Sequence, residues 1–258
     1  AEGSTIGWGG RFGDMAFTNN SNSLFTCISL AGNNVMLSGE SALQYQCSTS
    51  GAIAVRSASN NFFYQAPLRS AFMQMLQKSS THVLENEYNN VTKRGISAQS
   101  IVAQGLSGVS LKTSFPSGNN LADQLKTVAQ LIGARSTLGT KRQVFMVALN
   151  GFDMHDYLDT RHGPLLKQLD EAMTAFYAAT QELGVANQVT TFTASDFGRT
   201  LTSNGDGSEV QLTGHARVLR EAYSEGDAHE APIDFRAEFL HVFLRTERVS
   251  SHLPVVIT

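Results

Sequence analysis

The sequence has few cysteines, no long apolar run and no concentration of positive charge. Its 258 residues include only two cysteines, and these form no C-x-x-C pair with the spacing of metal ligands. No run of 18 or more apolar residues occurs, so we predict no membrane-spanning helix. The 19 lysines and arginines are scattered and the net charge is -3, which leaves no basic surface for a nucleic acid or an anionic membrane. We therefore expect small-molecule chemistry or contacts with other proteins.

The two cysteines leave the redox compartment open. Cys27 and Cys47 lie in short apolar segments, LFTCISL and ALQYQCS, which we interpret as strands. A disulfide between them would suit an exported protein, whereas two buried free thiols fit the sequence equally well.

The length supports one main core, as one α/β domain or as one domain with a small appendage. The first 60 residues are rich in Gly, Asn and Ser and carry only short apolar runs, which predicts a β-rich N-terminal segment of small strands and turns. From Pro67 to about Leu106 the apolar residues recur with helical spacing. Pro67 is suited to a first helical turn, and a break is expected near Gly95.

The middle of the chain predicts a helix followed by a buried strand. Asn119 or Asn120 is suited to cap the helix NLADQLKTVAQLIGAR. Its buried stripe is expected to consist of five apolar residues: Leu121, Leu125, Val128, Leu131 and Ile132. The run from Gln143 to Leu149 is almost continuously apolar, which is typical of a central parallel strand covered on both faces.

A connecting helix and a second strand would complete one right-handed βαβ unit. Pro164 is expected to start the helix and Gly184 to end it, and the residues from Gln188 to Thr193 are expected to form the next strand. Each strand leads into a loop rich in ionisable residues, GFDMHD after the first and ASDFGRT after the second. Because open α/β sheets place ligand sites at the carboxyl ends of their strands, we expect both loops to line one cleft.

Asp153 and His155 are the strongest candidates for metal ligands. They are two residues apart in a chain that leaves a strand, so in an extended conformation their side chains point to the same side. A carboxylate oxygen beside an imidazole nitrogen suits zinc, manganese or iron. A D-x-H triplet alone is usually a surface loop, but Asp196 at the neighbouring strand end favours a metal site. Because a ligand faces the cleft, we expect Asp153 to be more buried than Asp156 or Asp159.

The other ionisable residues of these loops have more than one interpretation. His162 is either a third metal ligand, a partner of Asp153, or a loop histidine near a helix N-terminus. Asp156 and Asp159 are expected to interact favourably with the dipole at that helix N-terminus or to cap it. Arg199 is the candidate catalytic residue, because its guanidinium can hold a phosphate or sulfate oxyanion, although it can also pair with Asp196.

Six stretches of the chain together carry a family resemblance. They are GWGGRFGD, FTCISLAGNNVMLSG, TSFPSGNNLADQLKTVAQLI, GFDMH, HGPLLKQLDEAMTAFYAAT and QVTTFTASDFGRTLTSNGDG. In combination they resemble the bacterial sulfatase-like family called domain of unknown function 1501, many of whose members are exported through the twin-arginine route. The resemblance covers most of the chain from Gly7 to Gly207.

The resemblance implies membership of the alkaline-phosphatase-like superfamily of metal-dependent hydrolases of phosphate and sulfate esters. The implied fold is α/β, with a mostly parallel central sheet flanked by helices. Asp153 and His155 match a metal-binding pair, and Asp196 stands at the strand end where relatives carry a ligand carboxylate. The implied cofactor is a divalent metal, zinc or manganese, the implied substrate is a small anionic ester, and the implied location is periplasmic or extracellular.

The chain departs from the family pattern at both ends. The family begins with an apolar strand and a Gly-Asn-Asp-Gly-type turn that supplies another ligand. This chain begins at Ala1 without such a turn, so we expect that a signal peptide or a longer segment has been removed and that the fold is incomplete. The family's Asp-His-Gly is expected soon after Gly207, where Ser208 to Gln211 stand instead. We therefore predict a core over residues 1–207 and a divergent, loosely packed tail over 208–258.

The tail also differs in composition, since 13 of the 50 residues from 209 to 258 are charged. We hypothesise that it is not family sequence and arose from a shifted reading frame or a fusion. A replaced C-terminus in a divergent lineage is the alternative. Ile233 to Val249 is expected to form one amphipathic helix.

The predicted function is that of a partial copy of a metal-dependent ester hydrolase, possessing an incomplete site. The alternative is a non-catalytic binding or assembly protein that retains the fold.

Overall fold

A computed structural model describes ten stretches of the chain. They are residues 5–58, 66–78, 80–195, 197–203, 208–220, 223–225, 228–230, 233–243, 248–250 and 255–257. The chain divides into two compact units. The first comprises Ala1–Leu149 and Gln168–Val189, and the second comprises Asn150–Lys167 and Thr190–Thr258.

The first unit contains a four-stranded sheet with the strand order β3-β2-β1-β4. The strands are β1 (Cys27–Ser29), β2 (Gln44–Ser48), β3 (Gly51–Ala52) and β4 (Val144–Met146). Strand β1 runs parallel to both β2 and β4, and only β3 is antiparallel to its neighbour. The fold is therefore mixed α/β with a mostly parallel sheet, as the sequence predicted.

Five α-helices accompany the strands in the described part of the chain. They are α1 (Trp8–Ala16), α2 (Ala66–Gln77), α3 (Val83–Ser107), α4 (Asn120–Gly133) and α5 (Leu158–Glu182). No helix among the described residues is both long enough and apolar enough to cross a membrane.

Helix α4 forms as its sequence predicts. The side chain of Asn119 caps it by accepting a hydrogen bond from the Ala122 N–H at 3.2 Å. All five residues of the predicted stripe are buried: Leu121, Leu125, Val128, Leu131 and Ile132. This stripe packs against Ala172 and Phe176 of α5 in one core cluster.

The two faces of the four-stranded sheet are covered differently, because successive strand residues point to opposite sides. On one face Ile28 and Cys47 pack with Ala98 and Val102 of α3 and Leu131 of α4, and we call this the helix-covered face. On the other face Cys27 packs with Leu37 and Ala42, while Val144 and Met146 lie against them. Helix α1 covers this second face through glycines, and we call it the glycine-covered face.

The glycines of α1 permit an unusually close approach. Gly9, Gly10 and Gly13 are its buried residues. A Cβ on Gly10 would overlap the carbonyl group of Ser38, and a Cβ on Gly13 would overlap the sulfur of Cys27. The helix was not predicted, because a glycine-rich sequence has low helix propensity and is more typical of turns.

The two cysteines are buried free thiols, the second of the two alternatives left open. The register between β1 and β2 pairs Cys27 with Gln44, which is three residues before Cys47, so the two side chains point to opposite faces of the sheet. A disulfide would require the strands to rearrange. Burial raises the pKa of both the Cys27 and the Cys47 thiol to about 11, and the charge of Asp14 adds to the effect at Cys27.

Two carboxylates hold loops by accepting backbone hydrogen bonds. Asp14 of α1 accepts from the N–H groups of Glu40, Ser41 and Ala42 at 2.8, 2.9 and 2.7 Å. At the end of α5, Glu182 accepts from the backbone of residues 112 and 113 at 2.6 and 2.8 Å. These hydrogen bonds stabilise the ionised forms, so they lower the pKa of both carboxyl groups.

The predicted βαβ unit is only partly present. Strand β4 is three residues long and lies at the end of the described sheet, so its predicted central position is wrong. Helix α5 begins at Leu158, which places Pro164 inside the helix and not at its start. Residues 189–195 are not a strand, although QVTTFT has strand propensity, because propensity cannot replace a partner that supplies ladder hydrogen bonds.

The second unit contains a five-stranded antiparallel sheet and a two-stranded one. The larger sheet has the order β10-β9-β6-β5, with β11 also paired to β9. Its strands are β5 (Gly198–Ser203), β6 (Ser208–Arg220), β9 (Ile233–Phe243), β10 (Arg248–Ser250) and β11 (Val255–Ile257), and the smaller sheet joins β7 (Tyr223–Glu225) to β8 (Ala228–Glu230). The helix predicted from Ile233 to Val249 is therefore wrong. Apolar and charged residues alternate strictly from Ile233 to Phe239, and this period of two favours a strand.

Candidate functional site

The candidate site lies in the irregular segment that follows β4 along the chain. Gln124 of α4, a buried residue, fixes the backbone just before this segment. Its side-chain amide donates to the Ala148 carbonyl at 2.9 Å and accepts from the Ala148 N–H at 3.0 Å. One side chain therefore satisfies both backbone groups of a residue that stands five positions before Asp153.

This pair of hydrogen bonds continues the pattern of the sheet. The Val144 N–H donates to Thr26 at 2.7 Å and the Met146 carbonyl accepts from Leu30 at 2.9 Å, so alternate residues of this strand point their backbone groups toward β1. Ala148 is the next residue in that alternation, and β1 has already ended. Gln124 supplies the donor and acceptor that a longer β1 would have supplied.

The structure brings Asp153 and His155 together. The His155 Nε2 lies 3.2 Å from the Asp153 Oδ1, and 35 % of the His155 side chain and 58 % of the Asp153 side chain are exposed. Met154 between them is fully buried. The Met154 N–H donates to the Phe152 carbonyl at 2.9 Å, so the backbone turns at Asp153 and the two outer side chains lie together while Met154 is buried.

The predicted order of burial is wrong. Asp153 and Asp159 are exposed, whereas Asp156 is half-buried. Met154, the residue after Asp153, takes the buried position in this turn, and Asp153 is left on the exposed side.

The start of α5 is shaped by local hydrogen bonds. Asp159 lies in the first turn, where it accepts a hydrogen bond from the Thr160 N–H at 2.8 Å. A carboxylate in that turn also interacts favourably with the helix dipole. Tyr157, just before the helix, has a φ of 57°, and its carbonyl accepts from the Arg161 N–H at 3.0 Å.

His162 lies in the same helix, and its ring packs edge-on against Phe152. The ring centroids are 5.9 Å apart and the planes are inclined by 84°. Within the described residues, no three His, Cys, Asp or Glu side chains are close enough together to hold a metal ion. Where it is described, the structure thus groups Asp153 with His155 and does not add His162 to them.

The remaining predicted site residues lie in the second ion-rich stretch. Asp196 is outside the described residues. Arg199 lies in β5, and its backbone is opposite Val210 of the antiparallel strand β6. Arg199 was expected in the loop after a parallel strand, but it lies within an antiparallel strand.

The donor geometry of the pair fits one divalent cation. Oxygen and nitrogen ligands at about 2.0–2.2 Å from a zinc ion lie roughly 3–3.5 Å from each other. The 3.2 Å between Asp153 and His155 falls in that range without any rearrangement. The same distance also suits a hydrogen bond between the carboxylate and the imidazole.

Sequence reasoning missed Gln124. Its signal was a polar residue on the otherwise apolar face of α4, one turn from Leu121 and Val128. A buried amide on such a face needs hydrogen-bonding partners. The backbone N–H and C=O groups that follow a short strand can supply them.

Comparison with known proteins gives a family match. The model of the family described as "Protein of unknown function (DUF1501)" matches residues 40–215. This range includes the Asp153–His155 pair and extends past residue 207, where we predicted divergence to begin. No match to a curated protein or to a solved structure was found.

Proposed function

Because the chain belongs to the DUF1501 family of proteins of unknown function, we propose that Asp153 and His155 supply two ligands of a divalent-metal site in a hydrolase of phosphate or sulfate esters. The approach of the His155 Nε2 to the Asp153 Oδ1 at 3.2 Å carries this proposal. The choice of reaction rests on the alkaline-phosphatase-like superfamily that the family resemblance implies. Zinc and manganese are the proposed cations, since both accept mixed oxygen and nitrogen ligands.

The residues of this chain have separable roles in the proposal. The Asp153 carboxylate and the His155 imidazole would hold the cation, which would supply Lewis-acid polarisation of the ester oxygen when bound. Asp196 is proposed as a further ligand and His162 as a residue that supports or completes the set. Arg199 is proposed to hold the oxyanion of the substrate through paired N–H groups.

A binding measurement tests the metal site directly. We expect the purified protein to bind zinc or manganese weakly in isothermal titration calorimetry, and Asp153→Ala and His155→Ala to lose most of that binding. Asp159→Ala is the matched control, because Asp159 is an exposed carboxylate of the adjacent helix turn. Equal losses in all three variants, or full binding by the Asp153 and His155 variants, would contradict the assignment.

An activity measurement tests the reaction. A longer family member with the same Asp-x-His pair should hydrolyse an aryl phosphate or an aryl sulfate in the presence of zinc or manganese, and the Asp→Ala change in its pair should abolish turnover. Metal binding without turnover of either ester would reject the hydrolase and keep the metal site. Absence of both would favour the alternative, a non-catalytic binding or assembly protein.

The resemblance also leads us to propose a periplasmic or extracellular location. Fractionation of cells that express the natural gene would test this, since cytoplasmic recovery would reject the proposed export.

A further inference from the structure

Helix α3 carries one apolar stripe whose two halves have different surroundings. In its C-terminal half Ala98 and Val102 are buried in the core, at 2 % and 0 % exposure. At 100° per residue, Leu84, Tyr88 and Val91 fall on the same side of the helix. These three side chains are 74 %, 63 % and 51 % exposed. The stripe therefore continues from the core into solvent.

The exposed half of the stripe contains a notch at Gly95. This glycine lies on the same side of α3, one turn beyond Val91, inside a continuous helix of 25 residues. Among the described residues, no heavy atom lies within 4 Å of the place where its Cβ would stand. Glycine is one of the least favourable residues for a helix interior, so the notch is not explained by the stability of the helix itself.

We propose that a second copy of this chain binds here, with its α3 packed antiparallel against the first across a two-fold axis. In the register centred between Asn89 and Asn90, Leu84 enters the notch at Gly95 of the second copy, and Tyr88 packs against its Val91. By symmetry the same two contacts form again. Each large side chain thus meets a smaller residue, as interdigitated helix packing requires.

The charges beside the stripe favour the antiparallel arrangement. Glu87 and Arg94 flank it on the same side, with the Arg94 Nη2 2.9 Å from the Glu87 Oε1, and both side chains are more than half exposed. An antiparallel copy brings its Arg94 toward Glu87 and its Glu87 toward Arg94, because a two-fold axis perpendicular to the helices keeps both pairs on one side of the seam. In a parallel copy the two pairs lie on opposite sides of the seam and do not meet. Flanking charges of this kind set partner and orientation in helix pairs.

The size of the surface predicts a weak dimer. The stretch from Leu84 to Gly95 is about 17 Å long at a rise of 1.5 Å per residue. A pair of such stripes buries less than the roughly 1,200 Å² of a standard stable interface. We therefore expect association that depends on concentration, in the micromolar range or weaker.

Sedimentation equilibrium of the whole chain over a wide concentration range tests the proposal. We expect Tyr88→Glu and Gly95→Leu each to weaken dimerisation by roughly tenfold or more, the first by charging the stripe and the second by filling the notch. Met15→Glu is the matched control, because Met15 is 76 % exposed on α1. Circular dichroism checks that each variant is folded.

Charge reversal provides the more specific test. Glu87→Arg alone and Arg94→Glu alone each place like charges across the axis, so each variant should be mainly monomeric. Their equimolar mixture should recover the wild-type degree of association as a heterodimer. A wild-type chain that stays monomeric at every concentration would overturn the proposal. A dimer lost in Met15→Glu, unaffected by Tyr88→Glu, or not restored in the mixture would also overturn it.

Discussion

The two faces of the four-stranded sheet are covered by different means. On the helix-covered face, side chains of α3 and α4 fill the space, and Phe25, Ile28 and Leu131 are fully buried there. On the glycine-covered face, α1 approaches so closely that its own glycines form the contact. Packing on the helix-covered face depends on side chains that fill the space. Packing on the glycine-covered face depends on the absence of side chains from α1.

This difference predicts opposite sensitivities to mutation. Deletion of side-chain atoms should harm the helix-covered face, where a cavity results, and addition of atoms should harm the glycine-covered face, where backbone must move. Removing atoms on the first face and adding atoms on the second, and measuring the free energy of unfolding each time, tests this difference.

The largest effect is expected for Phe25→Ala on the helix-covered face. Phe25 is fully buried and its ring packs edge-on against Tyr45, with centroids 5.2 Å apart. Its truncation should lower the free energy of unfolding by about 3–5 kcal/mol, measured by chemical denaturation. Phe12→Ala is the control, because Phe12 is 54 % exposed on α1, and it should cost about 0.5 kcal/mol or less. Equal costs would show that this face is not close-packed.

Gly10→Ala should be the most damaging small change on the glycine-covered face. The added methyl group would overlap the backbone of Ser38, which cannot rotate away, so we expect a loss of about 3 kcal/mol in unfolding free energy. The same substitution at Gly95 meets open space in a helix and should stabilise the fold by up to about 1 kcal/mol. Both are read from denaturation curves at low protein concentration. A neutral Gly10→Ala would refute the close backbone contact.

A smaller effect is expected for Gly13→Ala, because its obstacle is a side chain. The methyl group would overlap the sulfur of Cys27, at a cost of about 1–3 kcal/mol. Cys27→Ala removes that sulfur, so the double variant should lose less than the sum of the two single losses. Strict additivity in this double-mutant cycle would mean that the two residues do not touch.

The smallest effect concerns the loop that Asp14 holds beside the glycine-covered face. Its folded-state pKa is lowered by the backbone hydrogen bonds from Ala42, Glu40 and Ser41. A lowered pKa stabilises the fold above the unfolded-state pKa, near pH 4, and that stabilisation disappears as the pH falls through the folded-state value. We therefore expect the difference in unfolding free energy between wild type and Asp14→Asn to shrink below about pH 4. A difference that grows on acidification would contradict the sign.

The parts of the fold that could be predicted from the sequence are those that depend on residues close together in the chain. Helix α4 was predicted with its Asn119 cap and its buried stripe, because capping and periodicity involve residues within a few positions of one another. The approach of Asp153 to His155 is likewise local, because the two residues are only two positions apart in the chain.

The parts that sequence missed depend on distant partners. Helix α1 forms although it is glycine-rich, because its glycines pack directly against the backbone at Ser38. Strand propensity near Thr193 produced no strand, since pairing requires a neighbour that the local sequence does not specify. From Ile233 to Phe239 the sequence alternates with a period of two, and the strand forms by pairing with β6, which lies earlier in the chain.

The amide of Gln124 has a consequence for which substitutions the fold can tolerate. A primary amide carries one donor side and one acceptor side, as a peptide group does, so here a side chain takes the place of one residue of main chain. Glutamate would present two acceptors to Ala148, leucine none, and asparagine would be one methylene too short to reach. The backbone of Ala148, just after β4, therefore restricts position 124 of α4 to glutamine.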